Sequence, residues 1–386
     1  MRAHRMKMVL SALVVLALLF NLSNTTGRFE KPRVLSAFDS LLIRYDVYVD
    51  EFLAESNAPG AAIAIVKDDR IVYIRGFGSR KIGEGEPVDT NTAFRLASLS
   101  KGFASVLTAL LVKDSVLRWD DKVVAYLPTF SLKDRAGTQR LTVRNLLNHT
   151  TGLVPNAFDN LVEANTSFDV LMKRLKEAPS VCRVGECYSY QNVAFSLIGP
   201  VIESATGRKY EDLVRERILE PLGMHTASVG KEGLTETGNF AYPHVLRNRR
   251  WLSTIVKDRY YNVEPAAGVN ASIFDMAQWL RAMMGGMPNV VPPDVVATVS
   301  APQVRTPDEA YRFNKSKRYR SAQYGLGWRI LDYEGNRLVF HSGGVQGYSS
   351  HIAFLPEKNI GIVVLQNSSN DYSFVYDFFD LYLGIS

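Results

Sequence analysis

Residues 337–367, RLVFHSGGVQGYSSHIAFLPEKNIGIVVLQN, hold three apolar runs separated by short Gly-rich or polar links. RLVFHSGG, SSHIAFLP and IGIVVLQN each carry strand character, and YGLGWRIL just upstream adds to it. The matching region lies at the other end of the chain. There AAIAIV and IVYIRGFG flank KDDR, the pattern of a hairpin. Upstream of it, Leu35, Phe38, Leu42, Tyr45, Val49 and Phe52 recur at three- and four-residue steps, predicting an amphipathic helix that ends at NAPG. From 98 to about 245 the pattern is mostly helical, as in SVLTALLVKD, FDVLMKRLKEA and YEDLVRERILEPLG, and IFDMAQWLRAMMGG continues it. SFVYDFFDLYLG closes the chain as a helix. Strands at both ends around a helical middle predict an α/β fold with one antiparallel sheet assembled from the two termini. The expected α/β lobe takes residues 28–110 and 262–386, and the inserted helical lobe residues 111–261. A cleft where such lobes meet is a usual place for chemistry.

The composition is that of a globular chain: 386 residues, 46% hydrophobic, with 27 Gly and 16 Pro. Residues 1–27 stand apart. Arg2, Arg5 and Lys7 precede the charge-free apolar run 8–20, which is followed by NLSNTTG. Thirteen apolar residues fall short of the roughly 20 of a comfortable span, so the segment reads as a secretory leader. Its small-x-small cleavage site is poor, which leaves an uncleaved membrane tether through residues 8–20 as the alternative. Export to a periplasmic, secreted or membrane-anchored location is expected either way. The formal charge is +6, of which this leader holds +3, leaving +3 for the body. That is too little to argue for a nucleic-acid partner. The cluster RFNKSKRYR, with five basic groups in nine residues, reads as a solvated loop. The two cysteines, Cys182 and Cys187, suit a small disulfide loop in an oxidising compartment. No HExxH or paired CxxC is present, so neither metal nor cofactor is expected.

FRLASLSKGFASVLTALLVKD, residues 94–114, places Ser98 and Lys101 one helical turn apart at the head of an apolar run. A serine there sits at the positive end of a helix dipole, and a lysine three residues on shares its face. Burial of that ammonium lowers its proton affinity, so it can take the serine proton. The alternative is a helix cap followed by a surface lysine. A second match, Ser228 to Lys231, contains a Gly and opens no apolar helix. CYSYQNVAFSLIG sets Tyr190 and Asn192 in a polar link before a helix. A tyrosine there is suited to proton transfer, and an Asn amide to gripping a carbonyl. Tyr260 and Asn262 repeat the spacing. HSGG ends an apolar strand, and its paired glycines let a substrate approach the backbone.

SxxK, YxN and a strand-borne HxG, in that order, resemble the serine β-lactamase and penicillin-binding-protein superfamily. LTVRNLLNHTTGL, PAAGVNASIFDMAQWL, YGLGW and HSGGVQGYSSHIAFLPEKNIGIVVLQN resemble its class C-related branch of D,D-peptidases, D-aminopeptidases and esterases. The resemblance implies that Ser98 is the acylated nucleophile and Lys101 its proton partner. It makes Tyr190 the general base for acylation and the acid to the leaving group. Asn192 would orient the acyl side chain, while His341, Ser342 and Gly343 line the opposite wall. The backbone of Gly344 and Ser98 would form the oxyanion hole. His149, Tyr324 and Trp328 look structural. Cys182 and Cys187 would stiffen the loop presenting Tyr190. One departure counts: dedicated class C β-lactamases carry Lys where this chain has His341. An imidazole near its reference pKa is only fractionally charged at neutral pH, a weaker field for a substrate carboxylate. The resemblance therefore implies a small-molecule or peptide substrate (wall D-peptides first, then esters, with β-lactams turned over weakly). The alternatives are a β-lactamase proper and a catalytically silent penicillin-binding or scaffolding homologue.

Overall fold

The computed structural model describes residues 36–307, 318–369 and 374–385. The chain divides into two compact units, residues 1–40 and 41–386. Of the first, only residues 36–40 are described, and Ser36 Oγ there donates to Asp39 at 2.9 Å. The leader reading falls on 1–27 and most of the basic cluster on 308–317, both outside the described residues. Among the described residues no helix is long and apolar enough to cross a membrane.

α1 (Ala37–Ser56) leads into β1 (Gly60–Lys67) and β2 (Arg70–Gly78), the hairpin expected from the sequence. The late strands are β9 (Tyr319–Tyr324), β10 (Arg329–Tyr333), β11 (Asn336–Val345), β12 (Tyr348–Leu355) and β13 (Ile360–Gln366). With the short β8 (Val304–Arg305) they form one eight-stranded sheet of order β2-β1-β13-β12-β11-β10-β9-β8. Every pairing in it is antiparallel. N- and C-terminal strands meet at Ala64 opposite Val363, and Ile352 lies opposite Val363 on the other side. β12 and β13 are buried along their full length, and the stretches IAFL and IGIVVL within them read as apolar runs rather than alternating ones. The helix Ile273–Met283 packs on β1 and β13, and the helix Phe374–Leu383 on β12 and β13.

α2 (Ser100–Lys113) is buried from Ser100 to Leu111, the signature of a helix enclosed by its own protein. Phe103 stacks on Trp279 at 4.1 Å, and Trp328 lies over Gly102. Three short strands, β3 (Phe94–Arg95), β4 (Ser228–Val229) and β7 (Val269–Ala271), form a second sheet beside the start of α2. Two local expectations are corrected. YGLGWRIL is not one strand: residues 325–328 turn between β9 and β10, with Gly327 at φ +75°. The mostly helical middle also holds a hairpin, β5 (His244–Arg247) and β6 (Arg250–Ser253). Its turn runs through Asn248 and Arg249, both at positive φ, and an arginine there gives no turn signal.

Candidate active site

The chain leaves β3, makes one tight turn and enters α2, and Ser98 lies on that turn. Three bonds hold it in place. Leu96 N–H donates to Val269 O at 3.0 Å, Val269 N–H to Ser100 Oγ at 2.9 Å, and Ser350 Oγ to Leu96 O at 2.7 Å. Between these ties Ala97 is forced to φ +48°, a left-handed value that costs a residue with a Cβ about 1–3 kcal/mol. Ala97–Leu99 form one 3₁₀ turn, and neither it nor α2 is capped by a side chain. The cap alternative for Ser98 therefore fails. Its Oγ instead lies 3.2 Å from Lys101 Nζ and 3.0 Å from Tyr190 OH.

Lys101 is fully buried. Its Nζ also donates to Asn192 Oδ1 at 2.8 Å and to Ala266 O at 3.2 Å. Burial holds its pKa well below 10.5; the Asp159 carboxyl opposes that shift, and Arg329 adds a smaller push downward. An ammonium has three N–H groups for these three acceptors. Once neutral, it keeps two for Asn192 and Ala266 and turns a lone pair toward Ser98 Oγ. The hydroxyl then has a base within reach.

Tyr190 comes from a separate segment clasped by residues 149–156. Asn156 N–H donates to Tyr190 O and Ser189 N–H to His149 O, both at 2.8 Å. His149 is buried, lies 4.4 Å from the Tyr190 ring and accepts at Nδ1 from Gln191 N–H at 3.2 Å. It props the tyrosine, as its structural reading implied. Cys182 and Cys187 are bonded in the loop just before Tyr190, with an S–S distance of 2.00 Å. Two basic side chains flank the phenol ring: Lys101 Nζ at 4.7 Å and Arg329 Cζ at 5.3 Å from its centroid.

His341 departs from its expected setting. It is 1% exposed, and its Nε2 meets Tyr324 OH at 3.0 Å and Arg329 at 3.2 Å. A guanidinium only donates, so Nε2 accepts and Nδ1–H donates to Ser342 O at 2.8 Å. Burial, then Arg329 and Lys101, push its pKa well below 6.5. The ring is neutral at neutral pH rather than fractionally charged. The standing cation on this wall is Arg329, and Tyr324 bonds the imidazole instead of only packing.

Ser342, Gly343 and Gly344 line a cavity of about 470 Å³ together with Glu163 and Tyr260. Gly343 abuts the nucleophile's turn: a Cβ added there would lie 2.3 Å from Leu96 O and 2.9 Å from Ser98 N. At Gly344 the same atom would meet nothing within 4 Å among the described residues. The wall is therefore closed at one glycine and open at the next. Gly343→Ala is expected to slow acylation at least tenfold and to cost about 1–3 kcal/mol of stability by overpacking. Gly344→Ala should melt like the wild type. Paired melting curves and acylation rates check both.

Of the duplicate motifs only Tyr260 reaches the site, on the cavity wall, and the other members bond elsewhere. Lys231 pairs with Asp258 at 2.7 Å, Ser228 Oγ accepts from Asn270, and Asn262 donates to Thr166 O. Three participants escaped sequence reading: Asp159, Arg329 and the carbonyl of Ala266. Asp159 Oδ2 accepts from Asn192 Nδ2 at 2.8 Å, so both ends of the Asn192 amide are engaged by the protein. No motif marks Asp159 or Arg329, and the block PAAGVNASIFDMAQWL that holds Ala266 carried no reading of its carbonyl.

A family model described as Beta-lactamase matches residues 46–379. Protein flp of Staphylococcus aureus (strain MRSA252) is 24% identical over 331 residues, covering 85% of this chain and 63% of that protein. Unguisins hydrolase ungD' of Aspergillus campestris is 25% identical over 338 residues, covering 85% and 61%. The chain thus spans a little under two thirds of the length of these curated relatives. Among solved structures, the octameric penicillin-binding protein homologue from Pyrococcus abyssi superposes with a TM-score of 0.79 at 26% identity. It covers 89% of this chain and 77% of its own.

Proposed function

The chain belongs to the β-lactamase family, and we propose from its site that it is a serine hydrolase of the class C-related branch and from residues 1–27 that it is exported. It cleaves amide, peptide or ester bonds through an acyl-enzyme on Ser98. The observation that carries this reading is the meeting of three segments on one oxygen: Lys101 Nζ and Tyr190 OH both reach Ser98 Oγ. A free serine hydroxyl is a poor nucleophile, and a neutral buried amine beside it supplies the missing base.

In the proposed sequence Ser98 Oγ attacks the substrate carbonyl and its proton passes to Lys101 Nζ, not to Tyr190 as the resemblance implied. The oxyanion is held by the backbone N–H groups of Ser98 and Gly344. As the intermediate collapses, the leaving nitrogen or oxygen takes the Tyr190 proton, and the proton on Lys101 replaces it. Water then attacks the ester in the reverse protonic order, releasing the acid and free Ser98. Asn192 fixes Lys101 and the acyl side chain.

D-amino-acid peptides are the favoured substrates, esters the second. A neutral His341 in place of a lysine supports placing β-lactams last, and relatives named as a hydrolase and as a penicillin-binding protein homologue support a hydrolase of this kind. The test is single- and multiple-turnover kinetics on D-Ala-p-nitroanilide, p-nitrophenyl acetate and a chromogenic cephalosporin. Turnover of the anilide and ester with slow, persistent acylation by the cephalosporin is expected. Fast cephalosporin turnover would reassign the substrate. No reaction with any of the three would favour a binding protein.

A further inference from the structure

We propose that Asp159 is a positioning residue of this site: its carboxylate fixes which end of the Asn192 amide faces Lys101, and its charge governs how tightly Lys101 holds a proton. The proposal rests on the reading of Lys101 as the base for Ser98.

Four groups form an unbroken line. Asn192 Nδ2 donates to Asp159 Oδ2 at 2.8 Å, Lys101 Nζ donates to Asn192 Oδ1 at 2.8 Å, and Lys101 Nζ lies 3.2 Å from Ser98 Oγ. An Asn amide has a donor end and an acceptor end that differ little in shape. A neutral amine accepts either end, so Lys101 alone does not set the flip once it has lost its proton. An ionised carboxylate only accepts. Asp159 therefore demands the NH₂ end, and Oδ1 is left facing the lysine in both protonation states.

The carboxyl is placed to change its charge near neutrality. Its Oδ1 is buried and has no hydrogen-bond partner among the described residues. Burial raises its pKa to about 6, Glu163 adds to the rise, and Asn192 and Lys101 oppose it. The charged and titratable groups facing it are Lys101 from α2, Glu163 one turn along its own helix Asp159–Glu163, and Tyr260 from the opposite loop. Arg329 acts on Lys101 from β10. The direction follows from charge. Ionised Asp159 favours the ammonium form of Lys101, which cannot take the serine proton. Removing that charge weakens proton retention by Lys101, so the acid limb of kcat/KM moves to lower pH.

The experiment uses the full chain and two variants. Asp159→Asn keeps an acceptor for Asn192 without charge, and Asp159→Leu removes both. For Asp159→Asn the acid limb with p-nitrophenyl acetate should shift down by about one pH unit. For Asp159→Leu kcat should fall about tenfold or more with KM little changed, and added melting curves should show a folded protein. A second readout needs no turnover. The side-chain amide signal of Asn192, identified by its loss in Asn192→Asp, should titrate with a midpoint near 6 in the wild type and not in Asp159→Asn. A pH profile for Asp159→Asn that superimposes on the wild type would overturn the proposal, as would an amide signal flat between pH 5 and 7. If the wild type forms no Ser98 adduct, the hydrolase reading fails, and the amide titration still decides the role of Asp159.

Discussion

Ser98→Ala is expected to lower turnover by roughly 10⁵–10⁶-fold, leaving only what binding and the oxyanion donors supply. The loss is this large because no other group can replace the missing bond. Lys101 and Tyr190 both direct their polar atoms at Ser98 Oγ, and neither is placed to become the nucleophile itself. Alanine also suits the turn, since residue 97 bears the positive φ and Ser98 caps nothing. The variant should therefore fold normally. A fluorescent penicillin should label the wild type and leave Ser98→Ala unlabelled, and equal labelling of the two would remove Ser98 from its role.

The second large effect is at Lys101. Lys101→Met should cut kcat/KM by about 10³–10⁴-fold, the range of a general base lost from a buried site. Methionine preserves length and suits a fully buried position. Lys101→Arg separates base from charge. A guanidinium keeps the positive charge and never releases its proton at working pH. If Lys101 acts as a base, arginine is as damaging as methionine. If it acts only as a cation, arginine retains most of the activity. Rate constants for both variants, measured on the same ester, decide between them.

The sheet was legible because its central strands are buried and carry apolar runs such as IAFL in β12 and IGIVVL in β13. α2 was legible for the same reason. The turn at Ala97 was not. Its shape comes from ties to Val269 and Ser350, residues more than 150 positions away, and nothing in Leu96-Ala97-Ser98 announces a positive φ. The β5–β6 hairpin escaped because Arg249 occupies a turn position where glycine is the usual signal.

Within the site, Ser98, Lys101 and Tyr190 stood out because spacing to an apolar helix is a local property. Context also set aside Ser228 and Lys231, whose side chains bond elsewhere. Asp159 and Arg329 could not be found this way. Each is an ordinary charged residue in an ordinary segment, and only folding sets one against the Asn192 amide and the other against the His341 ring. His341 shows the same limit from the other side. The residue type suggested partial charge, while its burial beside Arg329 makes it neutral.

The most direct test of the account is rapid-quench intact-mass analysis of the wild type with p-nitrophenyl acetate, followed by peptide mapping. A transient acetyl adduct confined to the peptide holding Ser98, forming no more slowly than turnover, is the predicted result. Turnover without any such adduct, or an adduct on a different residue that persists in Ser98→Ala, would contradict it.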